Sequence, residues 1–400
     1  MQRPTGTTAL MGGTIFLIGF AFGASGPYRA VVGVETLGLS NTAFAVVMGL
    51  SALGTALASV ALGWLSDRVE DRRTLMTLCA VMGVFGFGLV WALPTQASFV
   101  VAICGLVPFG TALLSQSLSF SRAYLTRIAP ARAEVSMAAL RSNFAAAWVI
   151  VPPLGGWVAA QGDPVLTFLM SALAYVGAVI LIGLLWRRPD ARQGVKSPGA
   201  PDLSAPLRLA PDKRLGFAGL VLAQSALTLN MTVVPLVILR DLGGSLPVVG
   251  IAAAVSAGLE IPLMIFWGHM AARHRREPLL ALGCAAMALY MALLAMAGGV
   301  GQAIATMMVA AIGVSAYLTL SVSYLQTALT GRVGLSTSLV DVAHVIAALV
   351  AALIFGANTG TTYQPLMWAC AAMALAGAAL VHAAGRRAAR LPIDPGPETA

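Results

Sequence analysis

Twelve stretches of mostly apolar residues run through this chain, and each has the roughly 20-residue length that a helix needs to cross a hydrocarbon layer about 30 Å thick. They lie near 8–30, 42–65, 74–93, 97–118, 136–160, 164–186, 214–239, 245–270, 278–298, 301–325, 334–356 and 362–384. Inside a bilayer the backbone has no water to bond, so such runs close their hydrogen bonds within helices. Composition leaves no other choice. Hydrophobic residues make up 58% of the chain and charged residues only 10%, against about 25% charged in a soluble domain. That balance excludes a soluble fold, a disordered chain and a nucleic-acid-coating chain. The expected fold class is an all-α membrane protein with twelve transmembrane helices in two six-helix halves.

The halves part at 187–213, where Pro189, Pro198, Pro201, Pro206 and Pro211 interrupt a polar stretch without an apolar run. It reads as a flexible linker between bundles at 1–186 and 214–385, with a tail at 386–400. All but three of the 24 Lys and Arg residues (Arg29, Arg141 and Arg240) fall before span 1, in alternate loops, in the linker or in the tail. By the positive-inside rule, both termini and the linker are expected in the cytoplasm. Arg3 precedes an apolar run without a small-residue cleavage site, which favours a retained first span over a removable signal peptide. Cys79, Cys104, Cys284 and Cys370 all sit in apolar runs, without metal-ligand spacing, and are expected as free thiols.

The halves also echo each other. Ser40 and Gly63 bound span 2, and Ser245 and Gly268 bound span 8, each pair offset by 205 residues. Glu35 and Arg240 share that offset at the outer ends of spans 1 and 7, where they could pair across the halves as a latch. Internal repeats of this kind are expected where two halves rock around a central site.

The string GWLSDRVEDRR, from Gly63 through Asp67 and Arg68 to Arg72 and Arg73, resembles the loop signature of the major facilitator superfamily between its second and third helices. The resemblance implies a cytoplasmic gate at these residues. Glu70 and Asp71 stand where that signature has a glycine. Three strings narrow the likeness to the sugar efflux transporters of the superfamily: DRVEDRR at 67–73, Arg141 followed by AWVIVPPL at 147–154 with Pro152 and Pro153, and AGLEIP at 257–262. Gln116 with Arg122, and Tyr324 with Gln326, are weaker echoes. The family implies export of sugars or small glycosides across a bacterial inner membrane, driven by an ion gradient. Val151 replaces a common glycine, and Asp341 and His344 match no pattern of the family.

Ionisable groups inside spans are costly, about 2.5–3.5 kcal/mol each on insertion scales, and so invite a functional reading. Glu260, between Leu259 and Ile261, suits a carboxylate that loads and unloads a proton; a fixed hydrogen-bond partner is the alternative. Asp341 and His344 are spaced i, i+3 on one helix face and suit a proton-relaying pair or a structural one. Arg141 opens span 5 as a counterpart for an acid, or snorkels to the interface. The family lines its cavity with helices 1, 4, 7 and 10, which here supply Tyr28, Arg29, Gln116, Gln224, Asn230, Tyr317, Tyr324 and Gln326 as candidate solute contacts. Gly19 and Gly23 read as close helix packing. No phosphate-binding loop, nucleophile elbow or zinc motif occurs, and no cofactor or nucleic acid is called for. The expected partners are a sugar or glycoside, protons and membrane lipid, with the chain acting as a monomer. Proton-coupled multidrug efflux is the runner-up, and a membrane-embedded enzyme using Asp341 and His344 the minor alternative.

Overall fold

A computed structural model describes residues 6–66, 68–192, 211–328 and 333–389. Among them, twelve helices are long and apolar enough to cross a membrane: α1 (Gly6–Ser25), α2 (Asn41–Leu65), α3 (Arg72–Ala92), α4 (Gln96–Ile128), α5 (Pro130–Gln161), α6 (Leu166–Trp186), α7 (Asp212–Asp241), α8 (Leu246–Arg273), α9 (Arg276–Ala295), α10 (Val300–Leu325), α11 (Leu339–Gly356) and α12 (Gln364–Ala388). The expected fold class is the observed one.

The boundaries differ where apolarity and hydrogen bonding part company. The fourth run was expected to end at 118, yet α4 continues to Ile128. Apolarity marks where a helix leaves lipid, whereas its hydrogen bonds stop only at Ala129, which leaves the helical conformation ahead of Pro130. The first run does not end at 30. After Ser25 the chain turns, then continues as a π-helical segment, Val31–Thr36.

That corner recurs in the second half. The end of α7 is also π-helical, Val237–Asp241. Leu37 N–H donates to Val32 O at 2.9 Å and Leu39 N–H to Gly33 O at 3.0 Å; Leu242 N–H donates to Val237 O at 3.0 Å and Gly244 N–H to Ile238 O at 2.7 Å. Each corner then passes through a glycine with positive φ, Gly38 at 69° and Gly243 at 62°, a conformation that other residues rarely adopt. Bond for bond, the offset is the 205 residues of the sequence echo.

Within the first half, α1 packs on α5 and α6, and α3 on α6; within the second, α7 and α9 pack on α12, and α8 on α10. Gly19 and Gly23 face Ala147 and Val151 of α5, the close packing expected of them. The halves meet along α2 with α11 and α5 with α8. Exchanging the halves turns each of these contacts into the other, so the molecule has a pseudo-two-fold axis along the helices.

The stretch expected to begin a flexible linker is instead anchored. Ala191 is fully buried. The Asp190 carboxylate accepts hydrogen bonds from Tyr124 at 2.6 Å and Thr7 at 2.8 Å. Arg73, clasped by Asp71 at 2.6 Å, donates to the carbonyls of Leu185 at 2.9 Å and Arg188 at 3.3 Å. Leu185 O also accepts from Arg188 N–H at 3.1 Å and Arg188 O from Ala191 N–H at 3.1 Å, so Arg73 adds a second donor to each. The rest of the expected linker, 193–210, and the tail beyond 389 lie outside the described residues.

Candidate functional site

Transport between two halves requires a path that is closed on one face and open on the other. The α1–α2, α7–α8 and α11–α12 corners share one face, and there the halves are joined. Tyr28 is fully buried, and its hydroxyl donates to Pro152 O of α5 at 2.7 Å and lies 3.4 Å from Leu246 O of α8. Asn41 donates to Asn358 O at 2.9 Å and accepts from the Tyr363 hydroxyl at 3.1 Å. Glu35 accepts from Arg240 Nε at 2.6 Å, so the latch read from the 205-residue offset is formed. Asp241 Oδ2 holds the start of α12 by accepting from the N–H groups of Tyr363 and Gln364, at 2.7 and 2.6 Å. The helices touch closely here because the contact points are glycines. A Cβ on Gly250 would lie 2.2 Å from Pro152 O, and one on Gly156 would lie 2.5 Å from Leu246 O.

The opposite face is looser. Gly63 and Gly268, at the far ends of α2 and α8, are exposed and would offer a Cβ open space. A recess of about 340 Å³ opens between the N-terminal halves of α1 and α5, lined by Thr8, Gly12, Ser136, Leu140 and Asn143 among others. The conformation is closed at the corner face.

The proposed proton carrier Glu260 is half-buried in the middle of α8, and its Oε1 accepts a 2.7 Å hydrogen bond from Ser256, one turn earlier. Tyr290 of α9 donates to Asn230 Oδ1 of α7 at 2.9 Å. Asp341 and His344 do not form the expected pair. Both are exposed, they make no ion pair within 4.0 Å among the described residues, and His344 Nδ1 turns to its own helix at Val340 O, 2.8 Å away. The i−4 carbonyl is the nearer partner for a histidine ring lying back along its helix.

The expected solute contacts scatter. Tyr28, Tyr317 and Tyr324 are buried between helices rather than free on a cavity wall: Tyr28 seals the corner face, Tyr317 donates to Leu220 O at 3.2 Å, and Tyr324 packs beside Lys213 at the far end of α7. A phenol buried in an apolar bundle needs an acceptor, and backbone carbonyls of neighbouring helices provide it. Asn230 is engaged by Tyr290, and the Gln224 amide lies 3.4 Å from Thr228 Oγ1. Gln116 is half-buried on α4 and Arg141 exposed on α5. Arg29 is half-buried, and its Nε is buried without a protein partner. The side chain of Gln326 lies outside the described residues.

Of the expected gate, Asp67 lies outside the described residues. Arg68 folds over the Trp64 ring, 3.5 Å from its centroid, and Arg72 is half-buried. Arg73 is committed to the end of α6. Pro152 belongs to the seam at the corner face, and Pro153 is half-buried beside it on α5. The sequence reading missed Asn41, Asp241 and Tyr363 at the corner, Thr7, Tyr124 and Asp190 at the anchored stretch after α6 (the strap), and Ser256. Only Ser256 had a local signal, being four residues before Glu260 and so on its face. At the strap, hydrogen bonds from Tyr124 and then Thr7 hold the Asp190 carboxyl below the ordinary aspartate range. Among the described residues, no cluster of three or more His, Cys, Asp or Glu side chains is placed to hold a metal, and all four cysteines are free.

Comparisons with known proteins agree with this architecture. The chain is 26% identical over 377 residues to a Deinococcus radiodurans protein described provisionally as a sugar efflux transporter, covering 93% of this chain and 96% of that one. It is 26% identical to Sugar efflux transporter A of Dickeya chrysanthemi, covering 73% and 75%. Among solved structures, it superposes on a peptide transporter, POT, in complex with sulfate (TM-score 0.78, 13% identity, 96% of each chain). It also superposes on the nucleoside transporter NupG (TM-score 0.77, 13% identity, 96% of this chain and 100% of that one). These likenesses show the fold alone. The family model described as Major Facilitator Superfamily matches residues 11–215 and 215–398. The chain therefore belongs to the Major Facilitator Superfamily, as a twelve-span secondary transporter of a small molecule.

Proposed function

We propose that the chain exports sugars or small glycosides from the cytoplasm by alternating access, driven by proton antiport. The observation that carries this reading is Glu260, a carboxylate inside α8 held by Ser256, in a chain 26% identical to a relative described as a sugar efflux transporter over 93% of its length. An acid in a span is expensive unless its protonation changes during the cycle. In the outward-facing state Glu260 takes a proton from outside; in the inward-facing state it releases the proton to the cytoplasm, and the solute travels the other way.

In this reading the corner face is outside, and both termini and the linker are cytoplasmic, in a bacterial inner membrane. The bundles at 1–186 and 214–385 rock as units, and a monomer suffices. The half-buried Gln116 and Arg29, the exposed Arg141 and the amides of Gln224 and Asn230 meet solute hydroxyls, and Asp67 with its neighbouring arginines sets the cytoplasmic gate. Asp341 and His344 are reserve proton sites. The test is transport in inside-out vesicles against a panel of labelled mono- and disaccharides, glycosides and amphipathic drugs. Gradient-driven accumulation of a sugar or glycoside supports the reading; accumulation of the drugs alone overturns it.

A further inference from the structure

A pseudo-two-fold axis fixes where a contact between equivalent residues must lie. If residue 35 maps onto residue 240 under exchange of the halves, their contact maps onto itself, and only a contact on the axis does so. Two independent observations establish the equivalence: the matched hydrogen bonds with positive-φ glycines at both corners, and the exchange of the α2–α11 and α5–α8 seams. The axis between the halves is also the line of the transport path. Glu35 and Arg240 therefore stand over its outer mouth, not at its rim.

The pair is built to open. Arg240 reaches one carboxylate oxygen, Oε2, through Nε and a second guanidinium nitrogen, while Oε1 is buried without a protein partner. The Arg240 side chain keeps 58% of its surface exposed and Glu35 20%. An ion pair so exposed adds a modest bias rather than a permanent bond. The neighbouring polar groups, Asp241 and Tyr363, are bound to the α11–α12 corner and to Asn41, and do not replace either partner.

We propose that Glu35 and Arg240 form an axial plug that holds the exit of the path shut, and that the plug survives exchange of its two charges. The second statement follows from the first. The two sites have the same π-helical backbone and the same hydrogen bonds, so each accepts the other's side chain.

The test reads the distance between spin labels at Ser40 and Ser245, exposed equivalent residues on either side of the axis, in wild type reconstituted in vesicles. No solute is needed, so the result stands apart from the sugar reading. Neutralising either partner, Glu35→Gln or Arg240→Gln, should raise the ratio of the longer-distance population to the closed one about fivefold, the scale of an exposed ion pair. The reversals Glu35→Arg and Arg240→Glu, each alone, should open the face further through like-charge repulsion. The exchanged double variant, Glu35→Arg with Arg240→Glu, should return the wild-type distribution. An unchanged distribution in the neutral variants would overturn the plug. A double variant as open as the single reversals, or one that does not fold while the neutral variants do, would overturn the axial equivalence.

Discussion

The hydroxyl of Tyr28, in the turn that follows α1, donates to the carbonyl of Pro152 on α5 at 2.7 Å, beneath the first turn of α8. This one bond moves Tyr28 from the class of solute contacts to the seam that closes the corner face. Removing a buried hydroxyl from such a bond costs about 1 kcal/mol. Tyr28→Phe should therefore shift the equilibrium toward the state open at that face by roughly that amount, without loss of insertion. Distances between labels at Gln161 and Ser245 measure the shift. An unaltered closed fraction would make the hydrogen bond incidental to closure.

Gly250 gives a steric counterpart. Its absent Cβ would lie 2.2 Å from Pro152 O and 2.7 Å from the Tyr28 hydroxyl. Gly250→Ala cannot fit without separating α5 from α8, and overpacking of this kind costs about 1–3 kcal/mol. The same label pair should report a larger opening than Tyr28→Phe gives, with export slowed. Wild-type distances and rates in Gly250→Ala would show that the seam has slack that the structure does not display.

Asp190 supplies a pH dependence outside the membrane. Its carboxyl is held below the ordinary aspartate range by Tyr124 first and Thr7 second. A depressed folded value means that the ionised form is favoured by folding. The contribution is thus fully present above the unfolded value of about 3.9 and is lost as pH falls through the lower folded value. Thermal unfolding in detergent should show wild type losing stability below about pH 4 more steeply than Asp190→Asn, which should already be the less stable at neutral pH. Parallel curves for the two proteins would remove Asp190 from the strap.

Twelve helices, the six-and-six order and the family were legible because each rests on a local property: run length, loop charge, or a short string such as GWLSDRVEDRR. The 205-residue offset even found Glu35 and Arg240 before any contact was visible. What stayed hidden depends on which helix faces which. Tyr28, Tyr317 and Tyr324 look like cavity aromatics in sequence, but each lies between helices, Tyr28 and Tyr317 with a carbonyl of a neighbouring helix as acceptor, and Tyr324 beside Lys213. Asp341 and His344 share a spacing, yet the nearer Val340 carbonyl takes the imidazole. Arg73 reads as a gate charge, although it donates to the Leu185 carbonyl at the end of α6, over a hundred residues later. Asn41 and Tyr363 meet across a corner contact that no periodicity encodes.

The central claim is that a proton on Glu260 drives export. Glu260 is held by Ser256 inside α8, and glutamine keeps the size and the acceptor oxygen of the side chain while removing the proton cycle. The most direct measurement is accumulation of a labelled sugar in inside-out vesicles carrying wild type or Glu260→Gln, with and without an imposed proton gradient. Gradient-driven accumulation in wild type, and only gradient-independent equilibration in Glu260→Gln, is the predicted result. Equal accumulation by the two proteins under the gradient would contradict the account.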